Sequence, residues 1–145
     1  MRQIKTVESV PYSASEMYAL INDVESYPSY IPWCPKTQVV STGPNEMVAK
    51  LYAQKGPVTQ SFTTRNILVE NQSVSMHLVE GPFKHLKGEW TLTPQSATSC
   101  VVDFEIEFEF ANPIMDAMAG PVLEKMTGSL VEHFKNRAKT LHGAE

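Results

Sequence analysis

The sequence predicts an α+β domain in which an antiparallel sheet of about seven strands packs against one long C-terminal helix. The chain begins with a strand and a short helix and ends with an amphipathic helix. Between them lie six segments with strand periodicity, near residues 36–43, 46–55, 58–69, 72–80, 85–93 and 99–110. Short turns such as Gly43-Pro44, Gly56-Pro57 and Gly81-Pro82 separate them, which favours an antiparallel meander. A chain of 145 residues without repeats or linkers is expected to form a single domain, residues 1–145.

The first strand and helix have clear local signals. Residues 3–10 alternate between two faces, and Pro11 ends the strand. Ser13 and Glu16 fit a capping box, in which each side chain accepts from the backbone N–H of the other residue. A helix is therefore expected after Ser13, and apolar residues at intervals of three and four form its buried face: Met17, Leu20, Ile21 and Val24.

The clearest strand is VVDFEIEFEF, residues 101–110. Its apolar side chains all fall on one face: Val102, Phe104, Ile106, Phe108 and Phe110. The opposite face carries four carboxylates: Asp103, Glu105, Glu107 and Glu109. This pattern is typical of a half-buried antiparallel strand, and no His or Cys has the spacing that a metal site needs. A hairpin through residues 94–98 is expected to bring Lys87 near Glu105 or Glu107.

The last helix has a predicted N-cap at Asn112, a proline at its first position, Pro113, and a C-terminal stop at Gly143. Its apolar side chains recur every four residues: Met118, Val122, Met126, Leu130, Phe134 and Ala138. Pro121 lacks a backbone N–H and clashes with the preceding turn, so we expect a kink or restart near residues 119–121.

Composition limits the function classes. The net charge of −4 gives no general attraction to phosphate, so sequence-specific nucleic-acid binding is not expected. Cys34 and Cys100 lie far apart without metal-type spacing, which favours free thiols over a disulfide. No apolar run resembles a signal peptide or a membrane span, so we expect a cytoplasmic protein whose membrane contact, if any, is peripheral at the inner face of the cell membrane.

The segment YPSYIPWCP, residues 27–35, hereafter the aromatic segment, combines three rings with three prolines. Proline restricts its own backbone and that of the preceding residue, so the rings are held in fixed places. They fit two roles, a rim that contacts a ligand or the bilayer interface, or a plug at the open end of the sheet. Tyr27 fits the plug and is expected under the first helix, whereas Tyr30 and Trp33 fit both roles.

Several segments together carry a family resemblance: VPYSASEMYALINDVESYPSYIPWC at 10–34, FTTRN at 62–66, LVEGPFKHLKGEW at 78–90, IEFEF at 106–110 and RAK at 137–139. With these the chain resembles the START-like (Bet v 1-like) helix-grip superfamily over essentially its full length. Within it, the chain is similar to the coenzyme Q-binding, polyketide cyclase-like branch that includes the bacterial ribosome association toxin A proteins. Pro121 departs from this family's pattern, in which the final helix runs on.

The resemblance implies a curved sheet around the C-terminal helix, with one or two short helices after the first strand. It also implies a cavity for a hydrophobic ligand, most simply polyprenyl quinone (ubiquinone), in support of respiratory electron transport. No catalytic residue, metal or other cofactor is expected. Aromatic and methionine side chains suit a planar head and a flexible tail, and the expected ligand contacts are Tyr30, Trp33, Phe83, Trp90, Phe104, Phe108, Met118, Val122, Met126 and Leu130.

Other interpretations stay open. Arg65 either points outward to a carboxylate or anchors a ligand's polar group. An interaction protein that binds the large ribosomal subunit and blocks subunit association would use Lys84 and Lys87, with further cations near the end of the chain. A cyclase-like enzyme is the third alternative, but Cys34 has no histidine companion in the sequence, and His77 is expected to face solvent.

Overall fold

The computed structural model describes residues 1–56 and 58–143. Its strands are β1 (Arg2–Val10), β2 (Lys36–Gly43), β3 (Glu46–Lys55), β4 (Val58–Val69), β5 (Ser73–Glu80), β6 (Phe83–Ser96) and β7 (Ser99–Phe110). Its α-helices are α1 (Ala14–Asn22), α2 (Pro113–Gly128) and α3 (Leu130–Ala138), with a 3₁₀ helix at Val24–Ser29 and a π-helical turn at Lys139–Gly143. The predicted turn at Gly56-Pro57 is described only at Gly56, and Pro57 lies outside the described residues.

The strands form one antiparallel sheet in the order β1-β7-β6-β5-β4-β3-β2. The meander from β2 to β7 is therefore continuous, and β1 joins it beside β7. The helices pack on one side, called here the inner face, and the buried core lies between them and the sheet. The predicted α+β helix-grip architecture is confirmed.

The alternating burial of the side chains of β7 shows which face of the sheet points to the core. Phe104 and Phe108 are fully buried, whereas Glu105 is exposed. The predicted hairpin is confirmed, because Lys87 is paired in register with Glu107. The side chain of Glu107 nevertheless bonds to His85, with 2.9 Å between Nε2 and Oε2.

Helix α1 begins as predicted. The Ser13 hydroxyl accepts from the Glu16 N–H, and the Glu16 carboxylate accepts from the Ser13 N–H. After α1 the 3₁₀ helix turns the chain, and Tyr27 is buried with its hydroxyl donating to the carbonyl of Ile21. The prediction that Tyr27 packs under the first helix is confirmed.

A kink or restart was expected near Pro121, and of these two the restart is wrong. Helix α2 runs through this residue and ends at Gly128, and α3 begins after Ser129. The Pro121 ring is exposed, so the helix loses one backbone hydrogen bond there while buried Ala119 and Leu123 hold both sides against the core. The break lies where the Ser129 hydroxyl donates to the carbonyl of Met126.

The start of α2 agrees with the sequence. Asn112 is the N-cap, and its side-chain oxygen accepts from the N–H groups of Ile114 and Met115. The two cysteines are free thiols, and both are buried. Across residues 1–56 and 58–143, no helix has the length and apolar character needed to span a bilayer.

Candidate ligand-binding cavity

A cavity of about 60 Å³ lies between the inner face of the sheet and helices α2 and α3. Its walls come from the aromatic segment, from inward-facing strand residues and from the helices on both sides of Ser129. The lining residues are Val24, Tyr27, Ile31, Trp33, Cys34, Leu51, Phe62, Thr64, Asn66, Met76, Leu86, Trp90, Phe104, Ile106, Leu123, Thr127, Leu130 and Phe134. The cavity is thus enclosed mainly by apolar and aromatic side chains.

Aromatic rings form the rigid part of the wall. Trp90 on β6 stacks on Phe104 of β7, with ring centroids 4.1 Å apart and planes inclined by 23°. Phe134 of α3 meets Trp90 edge to face at 5.2 Å, and Tyr27 meets Phe134 in the same way at 5.3 Å. Such flat surfaces are well shaped to receive a planar ring.

A polar pair lies within this apolar wall. Thr64 and Asn66 are 2% and 6% exposed, and the Thr64 hydroxyl donates to Asn66 Oδ1 at 2.9 Å. No hydrogen bond from Asn66 Nδ2 is found among the described residues, and Asn66 lines the cavity. Because the Thr64 hydroxyl is bonded to Oδ1, the Nδ2 group is the part of the Asn66 amide that is suited to donate to a carbonyl oxygen of a ligand.

Arg65 lies on the opposite face of β4. Its Nε and Nη2 donate to the two carboxylate oxygens of Glu46 at 2.7 and 3.0 Å. This pair is exposed, so the alternative in which Arg65 anchors a ligand inside the cavity is wrong. Because side chains alternate along a strand, its neighbours Thr64 and Asn66 supply the inward polar groups.

Sequence reasoning named Arg65 in TTRN and missed these two neighbours. Their signal was available, since Thr64 and Asn66 share the inward phase of Phe62. Thr127 was also missed, but its hydroxyl donates to the carbonyls of Leu123 and Glu124 and is therefore satisfied within α2.

The predicted ligand contacts fall into three groups. Trp33, Trp90, Phe104 and Leu130 line the cavity. Phe83, Phe108 and Met126 are buried elsewhere in the core, and Tyr30 is half-buried behind Phe134. Met118 and Val122 do not line the cavity, and Met118 is 61% exposed beside a surface groove.

The position of Met118 has a geometric cause. A helix turns by about 100° per residue, so each step of four residues rotates the direction of the side chain by about 40°. Over the three steps from Met118 to Leu130 the apolar stripe therefore winds partly around the helix. Leu123 and Thr127 of α2 contact the cavity instead of Val122 and Met126.

The aromatic segment closes the cavity next to the helix break. Trp33 is 8% exposed, its Nε1 donates to Ser129 Oγ at 3.3 Å, and its carbonyl accepts from Gln54 N at 2.8 Å. Trp33 is therefore both a plug and part of the lining. Tyr30 has its ring 5.1 Å from the Arg137 guanidinium, and burial raises the pKa of its hydroxyl.

Cys34 is the thiol in the cavity wall. Burial raises the pKa of this thiol to about 11, although hydrogen bonds with the backbone of Lys36 and Tyr52 oppose the shift. The thiol therefore stays protonated near neutral pH, where a thiol is a poor nucleophile. His77 is exposed on the outer face, as predicted.

The predicted ribosome contacts lie on an acidic surface. Lys84 Nζ is 3.9 Å from Glu109 Oε2, and Lys87 is flanked by Glu89, Glu105 and Glu107 on the outer face of β6 and β7. These carboxylates offset the positive charge of the two lysines. No three His, Cys, Asp or Glu side chains in the described ranges are placed to hold a metal ion.

Fold and cavity together define a START-like helix-grip protein with an internal hydrophobic site. The chain belongs to the polyketide cyclase / dehydrase and lipid transport family, whose sequence model matches residues 10–135. The resemblance inferred from the sequence is confirmed.

Proteins with different names are similar to this chain in sequence or in fold. The chain is similar to the ribosome association toxin RatA of Escherichia coli K12, at 41% identity over 99% of this chain and 91% of the relative. It is also similar to the mitochondrial coenzyme Q-binding protein COQ10 of Drosophila melanogaster, at 27% identity over 90% of this chain and 57% of that protein. A Streptomyces aromatase/cyclase, ZhuI, superposes with a TM-score of 0.79 at 18% identity, covering 95% of this chain and 93% of the enzyme, and this likeness concerns the fold.

Proposed function

We propose that this protein binds a hydrophobic ligand with a planar, carbonyl-bearing head, most simply a polyprenyl quinone such as ubiquinone, and carries it without chemical change. The observation that supports this proposal most directly is the polar side chain of Asn66 in the wall of an aromatic cavity, with Oδ1 bonded to Thr64 and Nδ2 left to donate to a ligand. A quinone head would lie against Trp90 and Phe104 and accept a hydrogen bond from Asn66 Nδ2. The name of the Drosophila relative agrees with such a ligand.

The wall must move to admit this ligand. The cavity measures about 60 Å³, whereas sites for small organic molecules usually measure about 300–1,000 Å³. Leu130 and Thr127 lie on the two sides of the helix break, and Met76 is a flexible part of the wall. Outward movement of α3 relative to α2 would widen the cavity, and the isoprenoid tail would leave beside the aromatic segment.

Binding is proposed in preference to catalysis because of the side chains in the wall. General acid–base catalysis needs a group that titrates near the working pH. The polar wall residues Thr64, Asn66 and Thr127 do not titrate, and burial raises the pKa of Cys34 to about 11 and that of Tyr27 well above its ordinary value. These groups can orient a ligand but are poorly suited to move protons at neutral pH.

Solvent extraction of the purified protein, followed by mass spectrometry, tests the proposal. Wild-type protein from a quinone-producing host should contain quinone in near-stoichiometric amount. Leu51→Trp should lack it, because Leu51 lines the cavity and the larger ring fills the space. Leu68→Trp is the matched control, a half-buried leucine of the neighbouring strand that does not line the cavity. Wild-type protein without quinone, or equal loss in both folded variants, would contradict the proposal.

A second function is proposed for the outer surface, association with the large ribosomal subunit. The relatives named ribosome association toxin include those of Escherichia coli and Pseudomonas aeruginosa, at 41% and 37% identity over 99% and 92% of this chain. Surface binding and cavity binding use opposite faces of the sheet, so the two functions are compatible. Co-sedimentation of the protein with purified large subunits tests this second function, and absence of co-sedimentation at low salt would contradict it.

A further inference from the structure

Two lysines share one aromatic ring on the outer face of β2 and β3. The Nζ atoms of Lys36 and Lys50 lie 5.3 and 5.2 Å from the centroid of the Tyr52 ring. Lys36 is the register partner of Tyr52, and Lys50 precedes it by two residues on the same strand. A cation over an aromatic face is attracted to the ring without being neutralised. The ring therefore brings two positive charges together at one place, called here the Lys36–Tyr52–Lys50 patch.

The charge of this patch is not cancelled by carboxylates in contact. Neither Lys36 nor Lys50 forms an ion pair within 4.0 Å among residues 1–56 and 58–143. The carboxylate of Glu46, on the same face of β3, is bound by Arg65. The next carboxylate opposite Lys50 belongs to Glu80 on β5, because Lys50 pairs with Thr63 of β4 and Thr63 pairs with Glu80. At the other end of the sheet, by contrast, the outer face of β6 and β7 is rich in glutamates.

The groove beside the patch has polar, uncharged walls apart from Lys36. A surface groove beside Tyr52, with a volume of about 430 Å³, is lined by Gln54, Thr59 and Ser61 as well as Lys36. Amide and hydroxyl side chains of this kind hydrogen-bond to phosphate, sugar hydroxyl and base edges. The exposed apolar residues Ile114 and Met118, which would suit a bilayer, lie on α2 and do not line this groove.

We propose that the Lys36–Tyr52–Lys50 patch is an RNA-binding surface, and that it contacts ribosomal RNA of the large subunit. The inference rests on the second proposed function, ribosome association. In the complex the two ammonium groups bind phosphates, and the freed face of Tyr52 stacks on an unpaired base. The groove supplies hydrogen bonds to the ribose. The glutamates on the outer face of β6 and β7 disfavour RNA at the other end of the sheet.

Two charge-matched double variants test the inference. Lys36→Gln/Lys50→Gln removes the charges of the patch, and Lys84→Gln/Lys87→Gln removes two charges from the acidic end of the same sheet. Both change the net charge from −4 to −6, since each loses two lysines. Binding is measured by co-sedimentation with large subunits and by fluorescence anisotropy with a single-stranded RNA oligomer. The affinity of the first variant should be lower than that of wild type by about tenfold or more, and the affinity of the second should be unchanged. The slope of log affinity against log salt should become shallower by about 1–2.

Variants of the ring separate stacking from charge. Tyr52→Phe should bind like wild type, whereas Tyr52→Ala should weaken RNA binding by about tenfold or more. An equal loss of affinity in both lysine variants, or unchanged subunit binding in Lys36→Gln/Lys50→Gln, would overturn the assignment of RNA binding to the patch. Ribosome association itself would still stand. If wild-type protein binds neither subunits nor RNA, ribosome association itself fails. Binding to vesicles of phosphatidylglycerol and phosphatidylcholine but not to RNA, lost in the same variant, would assign the patch to a membrane surface and overturn the RNA assignment.

Discussion

The guanidinium group of Arg2 lies directly against the backbone of Gly120. Its Nη2 donates to the carbonyl of Asp116 at 2.9 Å, and its Nη1 lies 3.4 Å from Glu124 Oε1. A Cβ atom at position 120 would overlap with Arg2 Nε, so the close approach requires glycine. Arg2 on β1 thus ties the sheet edge to the middle of α2, the helix in front of the break at Ser129.

Substitution of Gly120 should therefore change the stability of the protein differently from substitution of a glycine that has free space around it. Alanine inside a helix is more favourable than glycine by about 1 kcal/mol, so Gly128→Ala, which meets no atom within 4 Å, should not destabilise the protein. Gly120→Ala must displace Arg2 and lose its hydrogen bonds, so it should be about 1 kcal/mol less stable than Gly128→Ala in urea unfolding.

A double-mutant cycle isolates the contact. With Arg2→Ala as background, the difference between Gly120→Ala and Gly128→Ala should shrink or disappear, because the side chain that Cβ displaces is already absent. A difference that persists in the Arg2→Ala background would show that Gly120 is required for another reason.

Asn66→Leu should weaken the retention of a quinone ligand by about tenfold, because one hydrogen bond to the head group is lost. It should also lower the free energy of unfolding by about 1–3 kcal/mol, since the buried Thr64 hydroxyl loses its acceptor. Thr64→Val/Asn66→Leu should recover much of that stability without recovering ligand. Extraction with mass spectrometry and urea unfolding measure the two effects.

Arg65→Leu is the matched control for Asn66→Leu. The two residues are adjacent on β4, so their side chains point to opposite faces of the sheet, and Arg65 faces Glu46 outside the cavity. Ligand retention should therefore stay at the wild-type level. Loss of ligand in Arg65→Leu equal to that in Asn66→Leu would contradict the assignment of the two faces.

Alkaline pH should destabilise the protein partly through Cys34. The pKa of this thiol is raised by burial from 9.0 to about 11, so between these values the folded state keeps a proton that the unfolded state releases. The stabilising contribution is complete below pH 9 and is lost as the pH rises through 11. Burial raises the pKa of Tyr27 and Tyr30 as well, which acts in the same direction at higher pH.

Urea unfolding between pH 8 and 11 measures this effect. The free energy of unfolding should fall less steeply with pH in Cys34→Ala than in wild type, whatever the variant's stability at neutral pH. Parallel curves for the two proteins would show that Cys34 ionises at an ordinary pKa in the folded state.

Ser129→Ala should loosen the closure of the cavity. The Ser129 hydroxyl accepts from Trp33 Nε1 at 3.3 Å and donates to the carbonyl of Met126 at 2.7 Å. Its removal should lower stability by about 1 kcal/mol and speed the transfer of bound quinone to vesicles. Thr140→Ala is the control, because the Thr140 hydroxyl makes a similar bond to the carbonyl of Asn136 at an exposed site away from the aromatic segment. Equal transfer rates in the two variants would place the entrance elsewhere.

Much of the fold followed from local patterns. The spans of β2, β3, β4 and β7 agree with the sequence-based ranges, because a half-buried strand repeats with a period of two and turns need glycine, proline or asparagine. The start of α1 was also predictable, since a capping box is formed by residues three positions apart. These features depend on neighbours in the chain.

The sequence by itself thus determined the elements, their order and the inward and outward faces of the strands. Only the tertiary structure decided that Asn66 lies at a cavity within the core, that Leu123 lines this cavity while Met118 is exposed, and that the helix breaks at Ser129. It also decided that Lys36 and Lys50 meet over Tyr52. The physical reason is that periodicity is set by neighbours along the chain, whereas a cavity or a surface patch depends on which residues from distant segments pack together and leave space between them.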